Sequence, residues 1–239
     1  DIADHSTLLS KEKIKILTYF DNILKLEKKT SIKVLNNIIN FFPEISFAKK
    51  YSRHLIKAFL MDAKGKKYKT WDDLVFYCKY SANPVGRFVI DLIYQKKKLP
   101  HVNFKEIYLA SDCLCTSLQI INHLQDCKKD FQELKRIYIP ESFFKKHSVD
   151  REILKLRDSN ANFLDLVFEM VEKVEIMLTK SDKGLRMIEP WGLRKETLII
   201  LNIAKKLCYL LKIEDVLKKN VKLSRIDLIF CFIKGIIKQ

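Results

Sequence analysis

The chain has 239 residues, with five glycines, five prolines and a formal net charge of +16. That length suits one well-packed domain, and so few chain breakers among abundant Lys, Leu, Ile and Phe predict long helices with short connections rather than sheet. The charge admits nucleic acid, an anionic membrane surface or an anionic substrate. Lys far exceeds Arg in a composition rich in Ile, Asn and Phe, the bias of an A+T-rich coding sequence. No recognition motif with interleaved aromatics is present, so nucleic acid is set aside. There is no signal peptide and no apolar run of about 20 residues to span a bilayer. A cytoplasmic location is expected, with peripheral contact at the inner membrane left open.

In chain order, residues 11–28 form an amphipathic helix with Ile14, Leu17, Phe20, Ile23 and Leu24 at helical spacing. A helix over 31–42 follows, ended by Pro43. Helices are expected over 48–61 and 71–94, the second preceded by the N-cap candidate Thr70. Residues 104–130 read as one helix, 136–140 as a short extended piece, and the lysine-rich stretch beyond as a helix or turn. Leu164, Val167, Phe168, Val171, Val174 and Leu178 give the helix over 161–180 one core face. Pro190 to Gly192 breaks the chain before a helix over 195–212, and 224–238 closes it. This last segment, LIFCFIKGIIKQ, is read as a core helix; contact with anionic lipid is the alternative.

Two segments stand out. In 111–130, Gln119, Asn122, Asp126 and Asp130 are spaced 3, 4 and 4 residues apart and stack on one face of a helix otherwise built for burial. Carboxylate and amide oxygens are hard ligands, and Mg²⁺ held by one or two carboxylates keeps positions for substrate phosphates. A diphosphate site is one reading; an exposed face with ordinary charges is the other. In 77–93, Pro84 and Gly86 interrupt an apolar helix and predict a kink. Such a kink admits a ligand, while an interhelical packing notch explains Ala82 and Gly86 equally well. Tyr77 and Tyr80 place a hydroxyl near the break, although buried tyrosines commonly serve structure alone. The six cysteines, Cys78, Cys113, Cys115, Cys127, Cys208 and Cys231, mostly lie in apolar helical patterns and complete no zinc site. They read as reduced and structural.

Three ordered motifs together resemble the squalene/phytoene synthase family: YCKYSANPVGR, the C-x-x-x-Q-x-x-N-x-x-x-D-x-x-x-D helix, and RIYIP. The chain is most similar to the bacterial hydroxysqualene synthase branch. Most of the family has V-A-G-x-V-G where this chain has Ser81-Ala82-Asn83-Pro84-Val85-Gly86, and Arg where it has Gln125. The resemblance runs from the first residue through KLSRID at 222–227.

That resemblance implies an all-α isoprenoid synthase fold, a helical bundle around a central cavity. It places Tyr77, Tyr80, Gln119 and Tyr138 at the reaction centre, and Asn122, Gln125 and Arg87 on the substrate. Asp126 and Asp130 would bind Mg²⁺ from one side and Asp4 and Asp1 from the other. The first acidic motif of the branch reads approximately D-D-I-A-D, and the chain begins one residue inside it. With no initiating Met, and the family's preceding helix missing, the sequence reads as a fragment of a longer product. The implied reaction converts presqualene diphosphate to hydroxysqualene without nicotinamide, in hopanoid or sterol-like lipid synthesis. No glycine-rich dinucleotide fingerprint is present. A head-to-head transferase acting on farnesyl diphosphate is the alternative, which Gln125 and the S-A-N-P segment disfavour. A non-catalytic relative resembling the family's respiratory-complex assembly factors is disfavoured by the intact Asp126 and Asp130. Nothing in the sequence fixes the oligomeric state.

Overall fold

The computed structural model describes residues 2–100 and 103–237, apart from the side chain of Ile237. Among these the secondary structure is entirely helical. Helices α1 (Ser10–Leu26), α2 (Lys33–Phe41) and α3 (Phe47–Ala63) share a small core built on Leu17, Leu24, Leu35, Phe42 and Ile56. The larger core surrounds α6 (Phe104–Gln125) and α9 (Ala161–Arg186), which pack on each other along much of their length. Helices α4 (Trp71–Ser81) and α5 (Asn83–Lys97) lie on α6 on one side, and α10 (Trp191–Ile213) lies on α9. Shorter elements complete the chain: α7 (Cys127–Leu134), α8 (Glu141–Lys146), a 3₁₀ turn at Arg151–Lys155, and α11 (Arg225–Ile237).

Local chemistry explains the boundaries. Thr70 Oγ1 accepts from the Asp73 amide at 3.2 Å, and the Asp73 carboxylate accepts from the Thr70 amide at 3.0 Å, a reciprocal cap that starts α4. The helix expected over 71–94 does not merely kink. It ends, and a new one starts, at Ala82 (φ −124°, ψ −50°), because Pro84 has no N–H for the preceding turn and is tolerated only near a helix start. Gly86 is a packing notch: a Cβ there would lie 2.5 Å from Ser111 Oγ and 2.6 Å from Cys115 Sγ on α6. The helix expected over 104–130 is likewise two, α6 and α7, meeting at Asp126 (φ −100°, ψ 8°). Pro190 and Trp191 start α10 rather than merely breaking the chain.

All six cysteines are free. Burial pushes the thiols of Cys78 and Cys127 up to about 12, so they stay protonated. The final segment departs from the expected core helix: α11 buries Cys231 and Gly235 but leaves most of its apolar side chains exposed.

Candidate active site

Asp62, in the last turn of α3, collects two tyrosines from distant parts of the chain. The Tyr77 hydroxyl of α4 donates to Asp62 Oδ2 at 2.8 Å, and the Tyr138 hydroxyl, from the extended stretch after α7, donates to Oδ1 at 2.9 Å. Both tyrosine rings are buried. Tyr68 stacks on Tyr138 with ring centroids 5.7 Å apart and meets Tyr77 edge-on at 5.4 Å. Its own hydroxyl is buried and has no hydrogen-bond partner among the described residues. Burial pushes the Asp62 carboxyl up, against the opposing pull of Arg136 and of the two phenolic hydrogen bonds. Burial and the neighbouring Asp62 also push Tyr68, Tyr77 and Tyr138 up, so all three remain neutral hydroxyls.

On the other side of Tyr138 lies His123 of α6, stacked on it with centroids 3.6 Å apart and planes 15° from parallel. Gln119 Nε2 lies 3.0 Å from His123 Nε2. With the amide donating there, the imidazole proton is on Nδ1, which faces Asp130 Oδ2 at 3.7 Å, too far for a hydrogen bond. Of the four polar residues expected on one helix face, Gln119 and Asp130 thus lie on either side of the His123 ring, and only Gln119 is within hydrogen-bond distance of it. Asn122 is exposed and Asp126 half-exposed. The Arg136 amide donates to the Asp130 carbonyl, and its guanidinium reaches Asp4 Oδ1 at 2.6 Å and the Ala3 carbonyl at 2.8 Å. The Asp4 carboxylate is thereby held by a protein cation. Asp1 lies outside the described residues.

Three expected site residues stand apart from this group. Tyr80 lies against His54, with Lys57 Nζ 4.0 Å from its ring centroid. Arg87 forms a two-pronged pair with Asp112 at 2.8 and 2.5 Å and covers the Tyr108 ring. Gln125 Nε2 donates to the Val221 carbonyl at 2.6 Å, tying the end of α6 to the segment before α11. Asn83, from the S-A-N-P segment, is buried and accepts from Thr116 Oγ1 at 2.9 Å. Conversely, sequence reasoning passed over Asp62, Tyr68, His123 and Arg136. Arg136 opens the RIYIP motif and His123 interrupts the polar line, so both were available as signals. Asp62 had none, being one acidic residue just beyond an expected helix.

A cavity of about 110 Å³ opens beside Asp62, Tyr68 and Tyr138, lined also by Lys66, Lys67 and Arg136. Its cations suit an anion. Asp126 has no hydrogen bond or ion pair from its carboxylate among the described residues, and Asp130 has only His123 nearby. No group of three or more His, Cys, Asp or Glu among the described residues forms a complete metal cage. The oxygen donors on this side, the Asp126 and Asp130 carboxylates and the Asn122 amide, are hard ligands of the kind that suits Mg²⁺, an ion that also takes phosphate and water oxygens.

The profile of the squalene/phytoene synthase family matches residues 1–227. The hydroxysqualene synthase of Sinorhizobium fredii is 33% identical over 229 residues, covering 96% of this chain and 75% of that protein. That of Rhodopseudomonas palustris is 30% identical with the same coverage, 96% and 75%. Among solved structures, a dehydrosqualene synthase bound to a ligand superposes with a TM-score of 0.73 at 18% identity, covering 95% of this chain and 76% of that one. Squalene synthase HpnC from Alicyclobacillus acidocaldarius gives 0.62 at 22% identity, covering 82% and 74%. The fold is that of these isoprenoid synthases, and the chain belongs to the squalene/phytoene synthase family.

Proposed function

We propose that the protein is a Mg²⁺-dependent hydroxysqualene synthase that ionises presqualene diphosphate and delivers water to the resulting carbocation. Family membership and the names of the relatives support a head-to-head isoprenoid synthase. The observation that carries the finer reading is the pair of neutral phenols on buried Asp62, set beside a cation-lined opening, with Asp130 reaching the same group across His123, which stacks on Tyr138.

Asp126, Asp130 and Asn122 would hold Mg²⁺, which supplies Lewis-acid stabilisation of the departing diphosphate. Lys66, Lys67 and Arg136, which line the opening, would supply positive charge to the diphosphate oxygens as they gain negative charge. Because the Tyr77 and Tyr138 hydroxyls donate to Asp62, their oxygen lone pairs are left to accept from a water molecule. A phenol oxygen that accepts a hydrogen bond from water directs that water's lone pair at the cation. Ionisation breaks the carbon–oxygen bond to diphosphate; capture forms one to water and releases a proton, which the diphosphate can take. The cavity of about 110 Å³ is small beside the ~300–1,000 Å³ of ordinary ligand pockets, so a thirty-carbon substrate must part the aromatic rings as it enters.

The test is incubation of the purified protein with Mg²⁺ and either presqualene diphosphate or farnesyl diphosphate, without nicotinamide, followed by mass spectrometry. Hydroxysqualene is the expected product. Condensation of farnesyl diphosphate without onward hydroxylation would assign the site to prenyl transfer, and no turnover of either substrate would remove the catalytic reading.

A further inference from the structure

Helix α11 contacts the rest of the molecule along a narrow seam. Cys231 and Gly235, four residues apart, are its buried positions, and a Cβ on Gly235 would lie 2.8 Å from the Ile199 backbone of α10. The helix therefore sits directly on α10 and is fixed there. Lys206 holds Asp227 at 3.0 Å, and the Lys195 ammonium donates to the Ile236 carbonyl. Ser224 and Asp227 cap the first turn reciprocally.

The opposite face carries Ile226, Ile229, Phe230, Phe232, Ile233 and Ile236. Exposure reaches 66% at Ile226, 58% at Ile229 and 67% at Phe230. These positions recur at helical spacing over about three turns, which makes one continuous apolar stripe rather than scattered surface residues. Lys222, Arg225 and Lys234 flank the stripe, all exposed and none in an ion pair among the described residues. Asp227 is the helix's acidic residue, and Lys206 neutralises it on the side of α10.

We infer that α11 is an interfacial helix that docks the protein on an anionic lipid bilayer, with the Ile and Phe stripe among the acyl chains and the flanking cations at the headgroups. Charge selects this occupant. The chain carries +16 overall, which complements an anionic leaflet. Two copies joined symmetrically through this face would bring Arg225 and Lys234 of both together with no free carboxylate between them. No helix among the described residues is long and apolar enough to cross a membrane, and a one-sided apolar stripe suits the surface of a bilayer. The inference concerns α11 alone and stands whether or not the proposed reaction is right.

The experiment is co-sedimentation of the full chain with vesicles of phosphatidylcholine alone and with about one third phosphatidylglycerol, at low and high salt. Binding to the anionic vesicles, weakened by salt, is expected. The double variant Ile229→Ser/Phe230→Ser should lose about tenfold or more in partitioning while keeping its circular dichroism and melting temperature, since both side chains are exposed. Arg225→Glu/Lys234→Glu should lose the preference for anionic lipid. A wild-type chain that stays in the supernatant, or an Ile229→Ser/Phe230→Ser variant that binds equally well, overturns the inference. So does a dimer in sedimentation equilibrium that the serine variant dissociates, in the absence of vesicle binding, which would give the face to a second copy.

Discussion

Asp62 accepts two phenolic hydrogen bonds in a buried position, so Asp62→Asn preserves the shape while turning half of the acceptor into a donor. One tyrosine must then reorient or lose its partner, and we expect a loss of about 1–3 kcal/mol in urea denaturation. The pH dependence has a definite sign. Burial raises the folded-state carboxyl above its ordinary 3.8, so its contribution is full below that value and falls as pH rises through the folded pKa. The stability gap between wild type and Asp62→Asn should narrow from acid toward neutral pH; a widening gap would refute burial as the dominant influence. Asp126 is the opposite case, half-exposed and without a partner for its carboxylate among the described residues. Asp126→Asn should leave the melting temperature within about 2 °C. Losing a group that merely orients a metal ligand costs about 10–100-fold, so removing a ligand itself should cut turnover by at least about 100-fold, as chelation with EDTA should in the wild type. Unchanged turnover would remove Asp126 from the metal site. Tyr77 and Tyr138 could be singled out because each sits in a motif, and the fold brings both to Asp62. Asp62 was not, because its link to Tyr138 spans 76 residues and leaves no local trace.

At the scale of elements, what could be read depended on whether a boundary has its own chemistry. Thr70 announces α4 as its N-cap, and the structure adds Asp73, whose carboxylate returns the bond to make the cap reciprocal. Pro84 announced an interruption but not its severity, and the result is two helices with Ala82 between them. The break at Asp126 has neither proline nor glycine to mark it. It falls beside Gln125, whose amide is bound to a carbonyl 96 residues away, a tertiary tie that sequence periodicity cannot contain. Gly86 serves as the packing notch rather than as a ligand entry, since α6 fills the space where its side chain would be. Gly86→Leu must therefore push α5 off α6 or displace Ser111 and Cys115, at a cost of about 1–3 kcal/mol. Thermal unfolding measures that cost. An unchanged midpoint would mean that the two helices can separate without penalty.

Over the whole molecule, helical content and fold followed from few chain breakers and long apolar periodicities, whereas the convergence of α3, α4, α6 and the stretch around Arg136 required the packed chain. Charge is also a property of the whole. A net +16 with cations around the opening at Asp62 and Tyr138 should steer a polyanionic diphosphate toward the site, and steering of this kind is screened by salt. The Debye length falls from ~30 Å at 0.01 M to ~8 Å at 0.15 M, so distant lysines drop out first while those lining the opening continue to act. We therefore expect kcat/KM to fall steadily with added salt while kcat stays nearly constant, because screening acts on encounter rather than on the bound complex. Lys66→Gln/Lys67→Gln should lower kcat/KM at every salt concentration and flatten the dependence, since those two charges would no longer be there to screen. A kcat/KM that ignores salt in the wild type would mean that the excess of lysine contributes nothing to substrate capture and reflects codon composition alone.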